Sequence, residues 1–94
     1  MNGEYLPKKS RLRQNYPNPF NPSTTITFEL SGNAFVVLGL YDILGRLVRI
    51  LVEKEMAGGS HQVILDGSGL ASGVYVYRIQ AGEFVSSMRC IVLK

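Results

Sequence analysis

Short runs of alternating apolar and polar residues, broken by turn signals every eight to twelve residues, constrain this chain more than anything else in it. The cleanest run is Thr24–Leu30, with Ile26, Phe28 and Leu30 on one face and Thr25, Thr27 and Glu29 on the other. Ser31-Gly32-Asn33 reads as a turn. Ala34–Tyr41 follows and is apolar on both faces, which predicts a central strand covered on each side. Asp42–Arg46 reads as a hairpin connection, in which Asp42 bonds its own backbone and Gly45 supplies a left-handed residue. Leu47–Glu53 continues as strand, Glu53–Met56 as a polar excursion, and Ala57-Gly58-Gly59 as a further turn. Ser60–Asp66 sets His61, Val63 and Leu65 on one side and Gln62 and Ile64 on the other. The glycine-punctuated loop Gly67–Gly73 then leads into Val74–Gln80, where Tyr75, Tyr77 and Ile79 share a face. After the turn Ala81-Gly82-Glu83, Phe84–Leu93 forms the last strand. Helical spacing occurs only over Ile43–Met56, and β-branched Val48, Ile50 and Val52 argue against a helix there. The expectation is an all-β fold: a small antiparallel sandwich of six to seven strands.

Charge and composition narrow the function classes. The net charge of +3 lies wholly in residues 1–14, where Lys8, Lys9, Arg11 and Arg13 face only Glu4. The remaining six basic and six acidic side chains cancel, so no basic face for nucleic acid is expected. Residues 1–13 read as a basic linker or tail, and residues 14–94 as the domain. No apolar run approaches the ~20 residues of a transmembrane helix. The start of the chain has no apolar h-region, as expected of a cytoplasmic protein or of a piece cut from a longer exported one. Gln14–Pro22 carries Pro17, Pro19 and Pro22 and should be extended and stiff, with Tyr16 and Phe20 pinning it to the core.

No constellation for catalysis emerges, and no enzyme is expected. His61 lies on the opposite strand face from Ser60, so the two cannot form a local dyad. The lone Cys90 sits mid-strand and reads as a small buried hydrophobe. Asp66-Gly67-Ser68-Gly69 offers a single carboxylate where a hard cation needs several oxygens. The same loop lacks the Lys-Ser/Thr ending of a phosphate cradle. Glu53 and Glu55 share a strand face and read as a solvated edge. Neither a cofactor nor a metal is expected.

Four blocks in order carry a family resemblance over residues 14–94. Gln-Asn-Tyr-Pro-Asn-Pro-Phe-Asn-Pro-Ser-Thr-Thr-Ile, residues 14–26, resembles the opening signature of the type A C-terminal sorting domain of type IX secretion cargo. Tyr41-Asp42-Ile43-Leu44-Gly45-Arg46 is similar to its second block. Ala57-Gly58, His61, Asp66-Gly67 and Leu70–Arg78 are similar to the third, and Phe84 through Lys94 to the terminal strand with its closing basic residue. Leu65 replaces a usual tryptophan, and Cys90 a common methionine.

The resemblance implies an immunoglobulin-like sandwich, related in fold to part of the flagellar hook-capping protein, at the C-terminus of a larger passenger from the Bacteroidetes and allied bacteria. It implies transit through the periplasm, recognition by the type IX machinery at the outer membrane, and a secreted or cell-surface destination. A sortase-like protease then removes the domain in many cargoes. The motif residues expected to shape the domain are Pro17, Pro19, Phe20, Asn21, Pro22, Asp42, Gly45, Asp66, Gly67, Gly73 and Tyr75. An edge strand leaves backbone groups free to pair with a partner. Recognition is therefore expected at the last strand, through Gly82, Phe84, Arg89, Ile91, Val92, Leu93 and Lys94. The competing expectation is a structural or adhesive module that self-assembles or binds carbohydrate.

Overall fold

The computed structural model describes residues 6–94. Its strands are β1 (Arg11–Leu12), β2 (Ser23–Leu30), β3 (Ala34–Asp42), β4 (Leu47–Met56), β5 (Gly59–Asp66), β6 (Gly73–Ala81) and β7 (Phe84–Val92). They form two sheets, ordered β1-β2-β5 and β4-β3-β6-β7, with every named pairing antiparallel. The alternation read in β2, β5 and β6 holds. Ile26, Phe28 and Leu30 from β2 meet Tyr75, Tyr77 and Ile79 from β6 in one core, together with Val36, Leu38 and Leu40 of β3. In an immunoglobulin constant domain the fourth strand pairs with the fifth; here β4 pairs with β3, giving sheets of three and four strands.

Three expectations need correction. First, β3 is central within its sheet but covered on one face only. Val36, Leu38 and Leu40 are fully buried, whereas Phe35 on the other face is 49% exposed. A two-layer sandwich has no third layer to lie over the outer face, so apolar residues there stay in contact with solvent. Second, β4 runs unbroken to Met56, because Glu53, Lys54 and Glu55 pair in register with Val37, Val36 and Phe35. Polar side chains are no obstacle in a strand at a sheet edge. Third, the described part of the basic leader is no free tail. Arg11 and Leu12 pair with Glu29 and Phe28, and Leu12 is buried in the core. A two-residue strand is too short for periodicity to betray it.

Gly39 shows how the outer face of the larger sheet is built. A Cβ there would lie 3.2 Å from the Tyr41 ring and 3.3 Å from Leu47 Cδ1, so these two side chains lie across the bare backbone. An aromatic ring laid over a strand glycine covers backbone that would otherwise be wet.

Candidate recognition site

The proline-bearing segment folds as a strap along the outer edge of β7. Its hold begins at Tyr77, whose hydroxyl donates to the Arg13 carbonyl (2.7 Å) and accepts from the Asn15 N–H (2.8 Å). Burial, which outweighs the stabilising Asn15 N–H, pushes the Tyr77 hydroxyl up to about 12. Asn15 is itself buried, and its amide donates to the Pro17 carbonyl and to Thr24 Oγ1. Thr24 Oγ1 in turn donates to the Pro17 carbonyl at 2.7 Å.

From this anchor the strap reaches β7 four times. Gln14 Nε2 donates to the Arg89 carbonyl (2.7 Å), and Asn18 Oδ1 accepts from the Ile91 N–H (2.9 Å). The Phe20 N–H donates to the Ile91 carbonyl, and the Phe20 carbonyl accepts from the Leu93 N–H, both at 3.0 Å. Phe20 thus pairs in parallel with Val92 while its ring enters the core at 2% exposure.

The two aromatic residues of the strap therefore have opposite fates. Phe20 pins it as expected, but Tyr16 is 82% exposed, because its backbone pairs with Thr25 on the solvent side of β2 and its ring points away from the core. Asn15, Gln14 and Tyr77 hold the strap in place, a role the sequence pattern assigned to none of them. The spacing of Asn15 two residues before Pro17 is the one local signal of that role.

The strap divides the β7 edge. Arg89, Ile91 and Leu93 turn backbone groups outward to it, so the same alternation turns the N–H and C=O of Val85 and Ser87 outward as well. Those two residues are exposed, and among the described residues their outward groups have no partner.

The seven residues expected to carry recognition fall into four groups. Gly82 forms the β6–β7 turn with φ 62°, and Phe84 and Val92 point inward, Val92 at 1% exposure. Ile91 and Leu93 have their backbones committed to the strap. Lys94 donates from Nζ to the Gly67 carbonyl at 2.9 Å. Arg89 presents an exposed side chain with no hydrogen-bond or ion-pair partner among the described residues, and the Leu93 side chain is exposed too.

The motif residues are mostly architectural. Asp42 Oδ1 accepts the N–H groups of Leu44 and Arg46 and its Oδ2 meets Arg46 Nε at 2.8 Å, while Gly45 completes the turn at φ 85°. The Arg46 N–H leads these bonds in holding the Asp42 carboxyl below its usual range. Asp66 is lowered too, chiefly by the Ser68 N–H. Gly67 must lack a side chain: its N–H bonds the Pro22 carbonyl at 2.7 Å, and a Cβ would lie 2.8 Å from that oxygen and 3.2 Å from the Phe20 ring. Tyr75 donates to the Ala71 carbonyl, and Gly73 opens β6 at φ 150°. Pro19 and Asn21 lie exposed on either side of Phe20.

The carbonyls of Asp66, Gly67 and Ser68 all accept from Arg49 or Lys94, so the loop that faintly resembles a cation site already has its oxygens directed at side-chain cations. Cys90 is fully buried, and burial pushes its thiol up to about 11. His61 stacks on Phe28 with ring centroids 5.4 Å apart and bonds the Ala57 carbonyl at 2.7 Å. Among the described residues no cluster of three or more His, Cys, Asp or Glu could hold a metal.

A closed sandwich with committed polar groups, a partly open edge strand and an exposed outer sheet face defines a binding module whose information lies on its surface. The family model described as the secretion system C-terminal sorting domain matches residues 14–94, and the chain belongs to that family. The domain is a sorting signal for type IX secretion, marking proteins for the cell surface or the medium by way of the outer membrane, and domains of this family are in general non-catalytic. No curated protein and no solved structure matches the chain.

Proposed function

We propose that the secretion machinery reads this domain at the open half of β7, from Gly82 to Ser87, and that Ile91–Lys94 act by holding the strap that completes the fold. One observation supports this: the outward backbone groups of β7 are open at Val85 and Ser87 and taken at Ile91 and Leu93. A partner strand adding to an edge needs the first kind and is refused by the second. The passenger lies on the N-terminal side. A sortase-like protease that removes the domain cuts ahead of Arg11, since from that residue to Phe20 the chain is woven into both sheets.

The test joins residues 1–94 to a periplasm-directed fluorescent reporter, in a bacterium with the type IX machine and in a mutant lacking it. The intact tag should place fluorescence outside only in the competent strain. Ser87→Pro removes an outward N–H without touching the ladder to β6, so it should cut export while leaving the melting temperature nearly unchanged. Undiminished export of Ser87→Pro would overturn the edge reading. Removing Ile91–Lys94 should abolish export together with cooperative unfolding.

A further inference from the structure

Beside the open edge, the outer face of the larger sheet carries a feature that neither the fold nor the strap employs. Two adjoining depressions share Ile43 and Val76. One is lined also by Tyr41, Arg78 and Ser87, with a volume of about 280 Å³. The other is lined also by Val74 and Arg89, at about 520 Å³. The register explains why these residues meet. Tyr41, Val76 and Arg89 lie in one cross-strand row, and Gly39, Arg78 and Ser87 in the next. Ile43 reaches the same place from the Asp42–Arg46 turn and stands 72% exposed. An apolar floor and two cations thus lie within one short stretch of sheet.

The charges there are unanswered. The ion pairs among the described residues are Arg13–Glu29 and Arg46–Asp42, so Arg78 and Arg89 have no carboxylate. Asp42, the one acid lining the depressions, is committed to Arg46 and to two turn amides. An apolar depression with unpaired guanidinium groups is complementary to an apolar side chain flanked by carboxylates.

From this we infer that the outer face of β3, β6 and β7 docks an extended acidic segment of another protein, with an aliphatic residue against Ile43, Val74 and Val76 and carboxylates at Arg78 and Arg89. An extended segment fits because same-side residues recur every second position, the spacing of the rows beneath. An anionic membrane is a poorer match: residues 15–94 balance six cations with six acids, and Glu53 and Glu55 lie on this same face. Where the sorting reading holds, the segment belongs to the secretion machinery.

The probe is a synthetic heptapeptide alternating threonine with one isoleucine and two glutamates, titrated into the full chain and followed by amide chemical-shift mapping. Shifts should centre on Ile43, Val74, Val76, Ser87 and Arg89. The double variant Arg78→Glu/Arg89→Glu should weaken binding about tenfold or more, and the lysine counterpart of the peptide should regain it. Both variant residues are outward, so circular dichroism should report an unchanged fold. Shifts elsewhere, an unchanged affinity on charge reversal, or concentration-dependent dimers that bury this face in place of the peptide would each overturn the inference. The same variant in the export assay separates the two proposals: lost peptide binding with intact export leaves the surface real and removes it from sorting.

Discussion

The strap offers a sharp test, because it holds two aromatic residues four positions apart that the fold treats oppositely. Phe20 is 2% exposed, and its ring packs against Gly67 between the sheets. Phe20→Ala forfeits the transfer energy of the ring and leaves a cavity, a loss of about 3–5 kcal/mol. Against a total of roughly 5–15 kcal/mol for a domain of this size, that is a large fraction. The cost also reaches β7, since both backbone bonds of Phe20 lie on its edge. Tyr16, at 82% exposure, has almost nothing to lose, and Tyr16→Ala should stay within about 0.5 kcal/mol of the parent. Denaturant and thermal unfolding of the two variants measure this directly. At 4–8 °C per kcal/mol, Phe20→Ala should melt about 12 °C or more below the parent. A loss of less than about 1 kcal/mol for Phe20→Ala would show that the strap is peripheral and refute its place in the fold. Equal losses for both variants would refute the orientation of the segment.

Gly67→Ala should cost about 1–3 kcal/mol, because its methyl would press on the Pro22 carbonyl at 2.8 Å and on the Phe20 ring. Gly32→Ala, with open space around its Cβ, should be near neutral in the same denaturant titration. Tyr77 predicts an alkaline transition. Its folded value of about 12 lies above the ordinary 10, so the folded state keeps a proton that the unfolded chain has released between those limits. Its contribution is complete below pH 10 and declines as pH rises towards 12, by roughly 1.4 kcal/mol per pH unit. In Tyr77→Phe this part of the slope should vanish, while the Asn15 N–H and Arg13 carbonyl lose their partner and the variant is less stable at neutral pH. A slope between pH 10 and 12 identical to the parent's would refute it.

Features that depend on near neighbours in the chain could be read from the residues. Alternation in Thr24–Leu30 and Val74–Gln80 named their core faces correctly, since successive strand residues must point to opposite sides wherever the strand pairs. Asp42 and Gly45 announced their turn because its bonds close within five residues. The four blocks announced the family. The tertiary structure alone decided which surfaces are covered. Phe35 and Val36 differ little in chemistry, yet one is half-exposed and the other fully buried, because only one side of β3 has a second sheet against it. It alone set Tyr16 outward and Phe20 inward, and took Leu12 from a basic leader into the core. It also divided the last strand into an open half and a strapped half, through contacts between residues more than seventy positions apart in the chain, such as Asn18 and Ile91. Local pattern fixes which way a side chain points relative to its neighbours; what stands opposite it depends on where distant strands come to rest.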